Sequence, residues 1–293
     1  METFETIKKL RAHLRGFRAG GKSVSFVPTM GALHQGHGSC VEVARSRGDV
    51  VVVSIFVNPT QFGPGEDFGK YPRPMDQDLE LCRHWGVDVV FAPSPGEMYP
   101  VEQSVWVEVG GITDVLCGKS RPGHFRGVTT VVLKLFDAVQ PDVAVFGQKD
   151  AQQSVVINEM VRQLNYPVEV TLSPTVREED GLAVSSRNRY LSSGERRRAA
   201  GIYRALTGAM KVVVDGERQT TAVVEYAREV LRAEGIEEIE YVELLNARDL
   251  KPLPRVEGRV LLAVAARVGT TRLIDNMVLD VGEGADVRES LLF

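Results

Sequence analysis

The 293-residue chain is 43% hydrophobic and 25% charged, with a formal net charge of −4 and a pI near 5.8. That balance belongs to a globular protein long enough for one large or two smaller cores, and the scattered Lys and Arg argue against a basic nucleic-acid groove. Its apolar runs are too short to span a bilayer, and Met1-Glu2-Thr3-Phe4-Glu5 lacks a signal-peptide pattern. Cys40, Cys82 and Cys117 have no C-x-x-C spacing and read as reduced thiols, so the expectation is a cytoplasmic protein.

Ile7, Leu10 and Leu14 recur at helical spacing and predict an amphipathic helix over residues 5–19, ended by Gly20-Gly21. Gly16 to Ser23 matches the Walker A letters, but it follows a helix and opens a strand, the reverse of what a P-loop needs. Val24, Phe26 and Val27 predict a strand. A Pro- and Gly-punctuated turn then runs from Pro28 to His37 and feeds a helix that ends at Gly48. A loop entering a helix presents unpaired N–H groups and the positive end of the helix dipole, which suits a phosphate. His34 and His37 are spaced to face one way, and the same dipole favours neutral rings that donate hydrogen bonds. Two other readings stand beside this one. The pair is a structural feature of the turn, or it joins Cys40 in a metal site for which no fourth ligand is visible.

Val50–Phe56 is a near-continuous apolar run, the mark of a strand buried on both faces, and it delivers the loop carrying Asn58 and Gln61. Pro74 to Trp85 predicts a helix with Leu79 and Leu81 inward; Asp76 and Asp78 fall in its first turn, where the dipole favours acid, with Asp78 also a candidate magnesium ligand. Strands follow at Val87–Ala92 and Val105–Val109, then a Gly-rich polar loop from Gly118 to Gly127 holding Arg121, His124 and Arg126. A helix over Val128–Val139, a strand at Val143–Phe146, a helix over Asp150–Leu164 and a strand at Val168–Leu172 complete the alternation. Alternating strands and helices predict an α/β, doubly wound Rossmann-like parallel sheet over residues 1–174, with ligands gathered beyond the strand C-termini. Residues 175–181 read as a charged linker and 182–188 as a polar turn. Helices near 194–214 and 219–234 and strands near 239–245, 259–268 and 271–275 predict a smaller α+β domain over 175–293, a candidate lid over the active site.

The candidate loops fall at one rim of the predicted sheet. Asn58 and Gln61, with Gln152 or Gln153, offer neutral amides able to clamp a small carboxylate without acting as amines toward an activated acyl group. Lys149 follows a strand and precedes a helix, where its ammonium reaches a phosphate, with Asp150 a candidate N-cap. Ser185-Ser186-Arg187 supplies two hydroxyls and a guanidinium fork. Residue by residue this reaches an ATP-using enzyme acting on a small acid.

The blocks Val27–His37, Val53–Phe62, Tyr71-Pro72-Arg73, Arg121–Val128, Phe146–Asp150 with Gln152-Gln153, Asp180–Leu191 and Leu273–Asn276 together resemble the pantoate–β-alanine ligases. His34–His37 is similar to the HIGH signature of nucleotidyl-transferring Rossmann enzymes, and Ser185–Arg187 stands in place of their second loop. The resemblance implies condensation of pantoate with β-alanine to pantothenate through a pantoyl adenylate, releasing AMP and pyrophosphate, with ATP as substrate, Mg²⁺ and a homodimer. It implies that Met30, Gly31, Ala32, Leu33, His34, Gln35, Gly36 and His37 line the ATP site, with His37 the proton donor and His34, Lys149 and Arg187 alongside it in catalysis. Gly147, Gln148, Lys149 and Asp150, with Val184, Ser185, Ser186 and Arg187, would hold the nucleotide, with Val176 near the adenine. Gln61 and Gln153 would bind pantoate, Gln61 also meeting β-alanine, with Asn58 beside it.

Gln148 stands where that family usually has Glu, Gln77 interrupts the acidic run at 76–78, and Gly38 and Cys40 replace larger apolar residues. Gly38 should loosen its helix by roughly 0.5–1 kcal/mol relative to Ala. Two rivals stand beside it: a nucleotidylyltransferase with the same signature that leaves AMP on a phosphorylated product, and a non-catalytic nucleotide- or RNA-binding module built on the same fold. The acidic balance speaks against the second, and no nucleic-acid or membrane partner is expected.

Overall fold

The computed structural model describes residues 1–282 and 287–293, which fold as two compact units. The first comprises Met1–Asp114, Gly118–Gly147 and Val156–Ser173; the second comprises Val115–Cys117, Gln148–Val155 and Pro174–Phe293.

In the first unit the chain runs β1 (Glu2–Phe4), α1 (Ile7–Ala19), β2 (Val24–Thr29), α2 (Gln35–Arg47) and β3 (Val50–Ile55), then 3-10 turns at Pro59–Gln61 and Asp67–Gly69. It continues through α3 (Met75–His84), β4 (Val89–Phe91) and α4 (Pro95–Met98). After α5 (Leu116–Ser120), which begins in the second unit, come α6 (His124–Val139), β5 (Val143–Gly147), α7 (Ala151–Gln163), whose first turn also belongs to the second unit, and β6 (Glu169–Ser173). Six strands lie in the order β1-β4-β3-β2-β5-β6, every pair parallel. Successive side chains of a strand point to opposite faces. Val27 therefore joins Val51, Val53 and Val145 under Cys40, Val41 and Ala44 of α2, while Phe26 meets Phe136 of α6 edge-on, with centroids 6.4 Å apart. The predicted doubly wound sheet is present, and the Walker-like letters lie where α1 ends and β2 begins.

Two expectations fail here for physical reasons. Val105–Val109 forms no strand and joins neither sheet. Thr130 Oγ1 accepts the Val107 N–H at 3.0 Å and Thr129 Oγ1 donates to the Val107 carbonyl at 2.6 Å, so hydroxyls of α6 replace a ladder. Residues 118–127 are not a loop throughout, since the end of α5 and the first turn of α6 fall inside that span. In α3 the buried residues are Asp78 and Cys82, with Leu79 and Leu81 half-buried. Gly38 lies against Trp85, whose Cε2 would be 2.9 Å from a Cβ there, so bulk at position 85 fills what Gly38 leaves open.

The second unit holds a 3-10 turn at Gln148–Asp150 entering α7, then a 3-10 turn at Ser186–Tyr190, α8 (Ser193–Ala199), α9 (Gly201–Val214) and α10 (Thr220–Ala233). Four antiparallel strands close it: β7 (Glu238–Asn246), β8 (Gly258–Val268), β9 (Thr271–Val281) and β10 (Val287–Ser290), in the order β10-β9-β8-β7. Leu206, Val223, Leu231, Leu262, Val264 and Leu279 are among its buried core side chains. The single helix expected near 194–214 is divided between α8 and α9. Strand β9 runs past residue 275 to Val281, because the polar pair Asp275-Asn276 interrupts the apolar pattern without interrupting the ladder.

The charged linker expected at 175–181 is instead one arm of a hairpin. Arg177 bridges Ala183, the Val184 N–H donates to the Val176 carbonyl at 2.9 Å, and Leu182 and Ala183 are each 3% exposed. Its charges are used internally, since Arg196 of α8 pairs with both Glu178 and Asp180 at 2.6 Å. Among the described residues no helix is long and apolar enough to cross a membrane, and the three cysteines are buried free thiols. Burial pushes the Cys82 thiol up to about 12, which makes it a packing group rather than a nucleophile.

Candidate active site

Helix α2 begins just beyond the C-terminal end of central strand β2, and its first turn is closed by two imidazoles. His34 is the N-cap, its Nδ1 accepting the Gly36 N–H at 3.2 Å; His37 Nδ1 reaches back to accept the His34 N–H at 3.2 Å. The pair is a reciprocal cap of the Ser/Glu kind with histidines in both places. Because each Nδ1 accepts a main-chain hydrogen bond, the neutral form of each ring carries its proton on Nε2. The rings sit 4.1 Å apart at the N-terminus of the helix, where the dipole opposes a second positive charge.

The turn before the cap is held by an acid that the sequence did not assign to it. Asp78 of α3, 1% exposed, accepts the Ala32 N–H on Oδ2 at 2.8 Å and the Leu33 N–H on Oδ1 at 2.7 Å. Gly31 has φ +76°, and a Cβ there would stand 2.9 Å from both Asp78 Oδ2 and Ile55 Cγ2, so the position requires glycine. Asp78, considered above as a magnesium ligand, therefore turns its oxygens to the main chain of this loop. Among the described residues no group of three or more His, Cys, Asp or Glu is placed to hold a metal.

The amides Asn58 and Gln61 lie in the same unit. Asn58 and Gln61 are 1% and 8% exposed. Asn58 Oδ1 accepts from Tyr99 Oη at 2.7 Å and Thr60 Oγ1 at 3.0 Å, and its Nδ2 donates to Gln61 Oε1 at 2.9 Å and the Gly127 carbonyl at 3.2 Å. Its hydrogen-bonding capacity is spent on the protein, so Asn58 orients Gln61. Gln61 Nε2 points to Met30 Sδ at 3.1 Å, which brings the amide and the β2 loop together. Gly127 is tightly specified, since a Cβ would lie 2.3 Å from the Thr60 carbonyl oxygen.

The Arg121–Arg126 segment wraps the Gln61 main chain. His124 Nδ1 donates to the Gln61 carbonyl at 2.8 Å, which leaves Nε2 to accept from Arg121 at 3.0 Å, and Arg121 grips Glu66 at 2.5 and 2.7 Å. Arg126 stacks 4.8 Å over Trp106. Burial raises the Glu66 carboxyl, but the Arg121 hydrogen bonds and charge outweigh it, and Glu66 titrates below its ordinary value. A depressed folded-state value stabilises the fold above the unfolded value and is lost as pH falls through the folded one. Glu66→Gln should therefore lower stability at neutral pH and flatten its acid limb; unchanged urea midpoints across pH 3–6 would remove Glu66 from that role.

In the second unit the turn carrying Lys149 is held from strand β9. Asn276, 3% exposed, donates its Nδ2 to the carbonyls of Gln148 and Lys149 at 3.0 and 2.9 Å. Its neighbour Asp275 receives Arg177 at 2.6 and 3.2 Å and the Asn276 N–H at 2.8 Å. Burial pushes the Asp275 carboxyl up, against the pull of Arg177. Arg177 also stacks 4.2 Å over Tyr203, next to Val176. Asn276→Ala strips two buried carbonyls of their donor and should cost about 1–3 kcal/mol, read as a lower urea midpoint; an unchanged midpoint would mean the turn holds itself.

Ser185 is the N-cap of the 3-10 turn bearing Ser186 and Arg187, its Oγ accepting the Arg187 N–H at 3.3 Å. Asp150 lies in the 3-10 turn ahead of α7, Gln153 is half-buried and Gln152 donates to the Val115 carbonyl at 2.7 Å. Thus the first unit assembles Met30–His37 with Asn58, Gln61 and Asp78. The second assembles Gln148–Asp150 with Asp275-Asn276, and Val176–Arg187 around the Arg177 pair. Sequence reasoning missed Glu66, Tyr99, Asp275 and Asn276 as supports; the polar pair inside an apolar strand was the available signal for the last two.

The Pantoate-beta-alanine ligase family model matches residues 2–278. A pantothenate synthetase of Moorella thermoacetica is 53% identical over 283 residues, covering 97% of this chain and 100% of the relative. The crystal structure of pantothenate synthetase from Thermus thermophilus superposes with a TM-score of 0.90 at 46% identity, covering 94% of this chain and 98% of that one. A pantoate-beta-alanine ligase from Francisella tularensis, complexed with beta-gamma ATP and beta-alanine, matches with a TM-score of 0.79 at 35% identity, over 94% and 97% of the two chains.

Proposed function

The chain belongs to the pantoate–β-alanine ligase family and joins pantoate to β-alanine at the expense of ATP, and from that premise we propose how its residues divide the work. The pantoate carboxylate attacks the α-phosphorus of ATP and pyrophosphate leaves. The β-alanine amine then attacks the acyl carbon of the adenylate, AMP leaves, and the amide forms. Attack at phosphorus is governed by positioning and by compensation of charge on the phosphate oxygens. His37 and His34 supply neutral Nε2–H donors at a helix N-terminus. Lys149 and Arg187 supply fixed positive charge, with Gly147, the Gln148 main chain, Asp150, Val184, Ser185 and Ser186 lining the nucleotide and Val176 near its base.

Gln61 and Gln153 bind pantoate, Gln61 also meeting β-alanine. Neutral amides suit this task because they cannot compete with the β-alanine amine for the acyl group. Magnesium would enter with ATP, where it would offset charge on the phosphates during attack. The enzyme works as a cytoplasmic homodimer, a reading in keeping with the 76% and 74% exposed Val101 and Val105 and with the buried reduced thiols.

The observation that carries this reading is the two-histidine cap, which fixes both imidazoles at the N-terminus of a helix, where a phosphate is favoured. The test is incubation with magnesium ATP, pantoate and β-alanine, each omitted in turn, while following AMP. AMP should accumulate catalytically only with all three present, and pyrophosphate exchange into ATP should need pantoate but not β-alanine. Exchange that requires β-alanine would end the adenylate route.

A further inference from the structure

The residue beside Lys149 is tied to the far end of the chain. Gln148 is 4% exposed, and its side chain makes a two-point clip: Nε2 donates to the Ser290 carbonyl at 3.0 Å and Oε1 accepts the Leu292 N–H at 3.0 Å. The partners fix the amide's orientation, because a flipped amide would set N–H against N–H and oxygen against oxygen. They also fix the residue type. A carboxylate in the same place could accept from Leu292 but would oppose the Ser290 carbonyl.

The tail that receives the clip is itself held. Strand β10 pairs with β9 from Val287↔Val281 to Ser290↔Val278, Leu292 is 5% exposed, and its carbonyl accepts from Arg259 at 3.3 Å. The same sheet therefore grips the Lys149 turn twice. Asn276 holds the carbonyls of Gln148 and Lys149, and the tail holds the Gln148 side chain. The family match ends at Val278, so both tail partners lie beyond it.

We propose that Gln148 and the C-terminal segment 287–292 form a positioning latch that sets the Lys149 turn for the nucleotide, with Gln148 a positioning residue rather than a catalytic one. The proposal rests on Lys149 serving ATP. The latch acts on one substrate, because the turn it holds carries the nucleotide-facing lysine.

The test compares ATP saturation kinetics of the full chain, Gln148→Glu, a chain lacking residues 287–293, and the two changes combined, with pantoate and β-alanine saturating. Gln148→Glu should raise KM for ATP about tenfold, the equivalent of one buried hydrogen bond lost, and leave KM for pantoate unchanged. Deletion, which removes both hydrogen bonds of the clip, should do at least as much, and the combination should be no worse than deletion alone, since each change acts through the same clip. Additive effects, or a fall in thermal midpoint with KM for ATP unmoved, would reduce the clip to a structural tie and overturn the latch. If the shortened chain does not fold, Gln148→Glu alone decides through its KM split between ATP and pantoate. Lys149→Ala separates the two levels: no change in KM for ATP would refute the reading of Lys149 itself. A rise there with Gln148→Glu silent would refute only the latch.

Discussion

His37→Gln should lower the rate of pantoate-dependent pyrophosphate exchange by about 10²–10³, the usual consequence of removing one oriented donor from a site of developing charge, while ATP binding by calorimetry changes little. Glutamine is the informative substitution because of where His37 sits. The imidazole has two jobs, since its Nδ1 accepts the His34 N–H and closes the helix cap. A glutamine at the third helical position can reach back to the same N–H, as in ordinary capping boxes, so it keeps the cap and loses only the ring. His37→Ala loses both, and should add a stability loss of about 0.5–2 kcal/mol to the same kinetic defect. If His37→Gln retains near-normal exchange while His37→Ala does not, the histidine is a cap and the proton-donor role is wrong. Equal losses of ATP affinity and rate would instead make it a ground-state ligand.

Asp78→Ala should be the most damaging single change to the loop that presents those rings. Its carboxylate is the acceptor for the Ala32 and Leu33 N–H groups in a buried setting. Deleting it strands two donors at about 1–3 kcal/mol each, a fall in thermal midpoint of roughly 2–4 °C per kcal/mol for a protein of this size. Asp78→Asn should also lose stability, because one face of an amide is a donor and meets an N–H head-on. Both variants should lose exchange activity, and added magnesium should not restore it. A variant with an unaltered midpoint whose activity returns at high magnesium would reassign Asp78 to the metal.

Much of the architecture was legible in the residues because it follows from local chemistry. Apolar runs such as Val50–Ile55, buried throughout, announce a parallel strand covered on both faces, and the strand–turn–helix at Val24–Arg47 announces a phosphate-ready terminus. Short or polar-broken elements were not legible. Three-residue β1 has too few positions for a period, and the hairpin at 176–184 looks solvated because its charges find one another only in the folded state.

By itself the sequence determined the alternation of strands and helices, the two histidines at a helix start, and the amides and cations at the ends of strands. All of these depend on neighbours a few positions away. Only the tertiary structure decided what those groups are for. Asp78 and Leu33 are brought together from different elements, as are Gln148 and Leu292 and Asn276 and Lys149. A buried carboxylate or amide takes its task from whichever donors and acceptors packing places around it, and that choice is made by long-range contacts that no local pattern encodes.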